Sequence, residues 1–127
     1  MAKRVATWKK RPGRQEFASA LNYLSLQLPG KLAAQLVSVA KRTPPVSRVA
    51  KDVLRASRLP LLPPDELHVA KDLKRIHKGK RLAPVIFVQG DLSHARPPII
   101  ADGYHRMCAA CHADEDTPVS IVLVPVQ

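Results

Sequence analysis

The segment IIADGYHRMCAACHADED, residues 99–116, holds two different chemistries in one string. From Asp102 it spells D-G-Y-H-R. An apolar run ends, Gly103 permits a tight turn at positive φ, and Tyr104, His105 and Arg106 open a helix whose unpaired N–H groups and dipole favour an anion. Arg106 adds a planar fork matched to phosphate oxygens, and His105 can donate to a phosphate or shuttle a proton. On this reading Asp102 and His105 are the candidate acid/base groups, with Glu66 a weaker one. The competing reading is structural: Asp102 caps the helix and Arg106 pairs with Asp102 or Asp114.

From Cys108 the same string spells C-A-A-C-H, the spacing of a c-type haem attachment site. Haem attachment needs export and free thiols, and this N-terminus has basic residues with no apolar signal segment behind them. A metal reading would take His105, Cys108 and His112 from one helical face with Cys111 at its edge. Four ligands from a single helix cannot close a tetrahedron around Zn²⁺, and the chain has no third cysteine. The expectation is therefore no haem and no zinc, with Cys108 and Cys111 as small core side chains.

These residues need a scaffold, and the 127 residues suffice for one modest core. At 46% hydrophobic and 4% aromatic, that core must be built from Leu, Val, Ile and Ala. Residues 1–14, with six basic side chains, no acid and no period, read as a flexible basic arm. Residues 15–58 read as a helical segment packed on the core. Phe17, Leu21, Leu24 and Leu28 recur at helical spacing; Leu32, Leu36, Val39 and Ala40 repeat the pattern. Ser47 can cap a third helix with Val46, Val49, Ala50, Val53 and Leu54 inward. Residues 59–127 then alternate: LPLLP as a strand, a helix ending at Gly79, the strand PVIFVQG, a polar turn, the strand PIIA, the helix YHRMCAACHA and the strand VSIVLVPV. The expected fold is a small α/β (α+β) domain with a mixed sheet in β-α-β-β-α-β order, preceded by about three helices.

Charge is distributed unevenly. Residues 1–58 carry thirteen Lys and Arg against Glu16 and Asp52, whereas residues 59–127 are balanced. On the expected third helix, Arg48, Lys51, Arg55 and Arg58 would form a basic stripe, either a solvated face or a surface for DNA or RNA phosphates. No apolar run is long enough to span a bilayer, so no membrane partner and a cytoplasmic location are expected.

The turn and its setting, KGKRLAPVIFV followed by IIADGYHRMCAA, resemble the ParB/sulfiredoxin superfamily over roughly Leu59 to Val124. The resemblance implies a nucleotide pocket for ATP or CTP with Mg²⁺, in which Lys78, Gly79 and Lys80 face Gly103, Tyr104, His105 and Arg106. Sulfiredoxins carry a nucleophilic cysteine where this chain has Tyr104, and partition-type ParB proteins continue into a helix-turn-helix domain. Sulfinate repair and ParB-type DNA reading are therefore not expected. The resemblance leaves two functions: a nucleotide-binding domain acting as a phosphotransferase, nucleotide hydrolase or nuclease, or a non-enzymatic bacterial nucleic-acid-binding accessory of plasmid or chromosome maintenance, in which the basic arm and the Arg48, Lys51, Arg55 and Arg58 stripe hold the DNA or RNA backbone. Oligomeric state is not set by any pattern in the chain.

Overall fold

Pro29 and the Pro44-Pro45 pair break the N-terminal region into two helices, α1 (Arg14–Gln27) and α2 (Gly30–Arg42), in the computed structural model, which describes residues 4–125. The first three residues of the expected arm and the last two of the expected core lie outside the described residues. From there the chain continues through β2 (Val46–Val49), α3 (Ala50–Ser57), α4 (Leu67–His77), β3 (Arg81–Leu82), β4 (Val85–Val88), β5 (Ile99–Asp102), α5 (Tyr104–Asp114) and β6 (Pro118–Val124); a two-residue β1 (Thr7–Trp8) precedes α1. The fold is α+β.

Four strands form a mixed sheet in the order β2-β6-β4-β5. The β4–β6 pair is parallel, and β2–β6 and β4–β5 are antiparallel. The central strands are apolar on both faces, and their alternation divides the core in two. Val85 and Phe87 of β4, Ile100 of β5 and Val119 and Ile121 of β6 pack with α3, α4 and α5. Ile86 and Val88, Ala101, and Val122 and Val124 point the other way, onto Ala20 and Leu24 of α1 and Ala33, Leu36, Val37 and Ala40 of α2. Helices thus cover both faces of one sheet, each fully buried large side chain contributing roughly 1.5–3 kcal/mol. Among the described residues no helix is long and apolar enough to cross a membrane.

Three expectations are corrected. The arm is not free over the described part of its length: β1 pairs in parallel with β3, Thr7 opposite Arg81 and Trp8 opposite Leu82, and Ala6 is buried. The expected third helix is a strand followed by a short helix. Val46–Val49 satisfies the outer edge of β6, with Val46 opposite Ile121, and only from Ala50 does the backbone turn helical. A helical period and a strand both fit Val46, Val49, Ala50 and Val53; the unpaired edge of β6 decides for the strand. The run LPLLP is not a strand. Pro60, Pro63 and Pro64 offer no donors to a ladder, and the segment crosses α5 as an extended strap.

The strap explains three side chains of α5 spaced four apart. Tyr104 Oη donates to the Pro60 carbonyl, His112 Nε2 donates to the Leu62 carbonyl at 2.7 Å, and Cys108, between them on the same face, is fully buried. Residues i, i+4 and i+8 of a helix share one face, so a single stripe holds the whole proline-rich segment.

Candidate functional site

β5 delivers Asp102 to the sheet end and Gly103 turns the chain into α5 with φ of 105°. No other residue fits there easily. A Cβ on Gly103 would stand 3.0 Å from Val85 Cγ2 and 2.8 Å from Arg106 Nη2. The first N–H groups of α5 have no helical acceptor, as at any helix start. Beside this helix start is a cleft of about 300 Å³ lined by His68, Lys71, Asp72 and Arg75 of α4 together with Asp102, Gly103, His105 and Arg106.

Arg106 does not project freely into this cleft. Its Nε donates to the Ala83 carbonyl at 2.9 Å, and its Nη2 donates to the Pro84 carbonyl at 3.2 Å and to Asp102 Oδ2 at 2.8 Å. Both ends of the ion pair are largely buried, with 16% and 11% of the side chains exposed. Of the two partners open to it in the sequence, Asp102 is the one Arg106 takes. The guanidinium is a clamp joining the β5–α5 turn to the β3–β4 connection. Asp102 is correspondingly a charge partner rather than a free base.

His105 is the exposed titratable group at the turn. Its side chain is 43% exposed, its ring centroid lies 4.8 Å from that of His68, and its Nε2 is 3.9 Å from Glu66 Oε2. Glu66 sits at the N-cap of α4 and accepts from the backbone N–H of His68 and of Val69. The Val69 N–H leads in holding its carboxyl below the ordinary range, with His68 N–H and the two imidazoles adding to the effect. A carboxylate that stays ionised beside an exposed imidazole can orient that ring.

Of the facing loop, Gly79 and Lys80 line a second, larger cleft of about 670 Å³ that shares Arg75 and Arg106 with the first; Lys78 is exposed beyond its lining. Tyr104 reaches across to the strap. The expected stripe of Arg48, Lys51, Arg55 and Arg58 does not exist as a helical face. Arg48 lies on β2, Arg58 is in the left-handed conformation after α3, and Lys51 and Arg55 are paired with Asp116 at 2.6 Å and Asp52 at 3.1 Å. The residues that sequence reasoning missed are on α4. His68, Lys71, Asp72 and Arg75 follow i, i+3, i+4, i+7, a polar stripe alongside the buried Val69 and Ile76, and that spacing was the available signal.

No family model, no curated protein and no solved structure matches the chain. Its functional reading therefore rests on its own geometry.

The cysteines are core residues. Cys108 is fully buried and Cys111 nearly so, between α5 and the strands and helices of its face. Burial pushes the Cys111 thiol up to about 11, and burial also raises Cys108. The folded-state value lies above the ordinary one near 9, so the stability this burial contributes is complete below about pH 9 and is lost as pH climbs toward 11. Ellman's reagent should find no reactive thiol in the native protein at pH 8 and two after unfolding. Cys111→Ala should flatten the alkaline fall in melting temperature. A thiol that reacts within minutes in the native state would place a cysteine at the surface.

Proposed function

We propose that the chain is a nucleotide-phosphate-binding domain of ParB/sulfiredoxin type, taking its phosphates at the Gly103 turn. The observation that carries the reading is the convergence of a glycine held at positive φ, a helix start and the cationic side chains Lys71, Arg75 and Arg106 on one cleft. The acids in its lining cancel only part of this charge. Asp72 is committed to Arg75 at 2.8 Å and Asp102 to Arg106, leaving Lys71 and the helix dipole uncompensated. Phosphate oxygens supply what these groups lack.

In this reading each group has a distinct part. The Gly103 backbone lets a phosphate approach closely, the N–H groups of Tyr104 and His105 donate to it, and Lys71 balances its charge. His105, backed by Glu66, is the group that can give or take a proton at a bound phosphoryl oxygen. The carboxylates of the cleft do not fit a resident Mg²⁺, because Asp72 and Asp102 are both engaged by arginines. Divalent metal would accompany the nucleotide rather than wait for it.

The test is thermal unfolding with ATP, CTP, GTP and ADP, each with Mg²⁺. A ligand at a hundred times its Kd adds about 2.7 kcal/mol to the unfolding free energy. At least one of the four should raise the melting temperature of the parent, and Lys71→Ala should reduce the rise without changing the ligand-free melt. No shift with any of them at millimolar concentration rejects the reading.

A further inference from the structure

The parallel pairing of β1 with β3 joins two basic clusters that are seventy residues apart in sequence. Lys9, Lys10, Arg11 and Arg14 follow Trp8; Lys74, Arg75, Lys78, Lys80 and Arg81 end α4 and enter β3. The Lys9 N–H donates to the Leu82 carbonyl at 2.8 Å, which fixes the first cluster beside the second. Lys9, Arg75, Lys80 and Arg81 line the same open cleft of about 670 Å³. All nine of these residues are exposed.

Their charge is hardly offset. Within residues 4–16 and 71–82 the only acids are Glu16 and Asp72. Asp72 is paired with Arg75, and Glu16 accepts the Gly13 N–H at 2.7 Å. Among the described residues no ion pair involves any of the other eight cations. The opposite case lies elsewhere on the same molecule, where Lys51 and Arg55 are each balanced by an aspartate. Like charges gathered on two paired segments repel one another unless a polyanion covers them.

We propose that residues 9–14 and 74–81 together form a docking surface for the phosphodiester backbone of a nucleic-acid duplex. Nine cations spread over two chain segments match a repeating anion, whereas one nucleotide engages only the few that converge at a turn. The surface also argues for backbone contact alone. Its single aromatic, Trp8, is half-buried with Nε1 enclosed and presents no platform on which unpaired bases could stack. The exposed large apolar side chains, Tyr23, Leu26, Val46, Leu59, Leu61, Leu67 and Leu92, all fall outside both segments. A membrane or a protein partner would need such anchors in the patch. This inference does not depend on the nucleotide reading, because of the nine cations only Arg75 also lines the Gly103 cleft.

The experiment is fluorescence anisotropy with labelled 20-base-pair DNA and RNA duplexes of two unrelated sequences, and with the corresponding single strands, from 50 to 200 mM salt. Binding should be independent of sequence, tighter for duplex than for single strand, and should fall with a log–log salt slope of about −4 or steeper. The DNA and RNA arms identify which duplex fits better; either preference agrees with the proposal. The triple variants Lys9→Glu/Lys10→Glu/Arg11→Glu and Lys78→Glu/Lys80→Glu/Arg81→Glu should each weaken binding at least tenfold and flatten the slope by about 2–3. The charge-matched control Lys31→Glu/Lys41→Glu/Arg42→Glu on α2 should stay within about threefold of the parent. No binding by the parent at 50 mM salt overturns the proposal, as does tighter binding of single strands. An equal loss in the control also overturns it, since net charge and not this surface would then be responsible.

Discussion

Arg106→Ala should be the most destabilising single substitution in the neighbourhood of the turn, lowering the unfolding free energy by about 3–5 kcal/mol. The side chain is 16% exposed and makes three hydrogen bonds, to the Ala83 and Pro84 carbonyls and to Asp102. Truncation leaves a buried carboxylate without its counter-charge and two carbonyls without a donor, and unsatisfied buried groups cost more than the bonds themselves contribute. Arg106→Lys should recover only part of the loss, because one ammonium cannot reach both connections in the geometry of a guanidinium fork. Urea unfolding of the three proteins decides the matter. If Arg106→Ala lies within 1 kcal/mol of the parent, the clamp is not what holds the β3–β4 connection to α5. Because the variant disturbs the scaffold, loss of ligand binding in it would not by itself identify a phosphate contact; Lys71→Ala serves that purpose.

Gly103→Val should cost roughly 2–4 kcal/mol, from two sources. A β-branched residue at φ of 105° is strained, and its Cβ would meet Val85 and the Arg106 guanidinium within 3.0 Å. The guanidinium cannot swing away without giving up its three hydrogen bonds. Gly79 provides the comparison. It too has positive φ, at 73°, but the atom that its Cβ would meet belongs to the long, exposed side chain of Arg4. Gly79→Ala should therefore cost only about 1 kcal/mol, the backbone part. The two sites of the turn should also be coupled: Gly103→Ala costs less in the Arg106→Ala background than alone, by 0.5 kcal/mol or more. Strict additivity in this double-mutant cycle would show that the glycine and the clamp are independent.

Several elements were legible in the residues alone. The strands at Val85, Ile99 and Pro118 announce themselves as short β-branched runs, and α4 and α5 as segments bounded by Glu66, Gly79 and Gly103. Gly103 is a particular success, since a strand leading into a helix across Asp-Gly demands a residue tolerant of positive φ. The burial of Cys108 and Cys111 could also be read, from the small apolar side chains around them. Where the reading failed, two local patterns competed and a distant segment chose between them. Val46–Val49 fits a helix by period and a strand by composition, and β6, some seventy residues away, supplies the edge that settles it. The arm has no period of its own because two residues of parallel pairing and a buried alanine hold it, too short a signal to stand out.

The site divides along the same line. The residue types that make an anion site at a helix start, a glycine followed by donors, are local, and local order along the chain is what a sequence states directly. The α+β class and the strong positive charge follow from composition and periodicity in the same way. Partnership is not local. Whether Arg106 faces a ligand or clamps Asp102, Ala83 and Pro84 depends on where the β3–β4 connection passes, and whether a lysine is free or neutralised depends on which carboxylate the fold brings within a few ångströms. The arm is a basic candidate in the sequence itself; only the tertiary structure decided that the end of α4, and not Arg48, Lys51, Arg55 and Arg58, joins it. Electrostatic interaction depends on distance in space, and the pairing of β1 with β3 brings together charges that the chain itself keeps far apart.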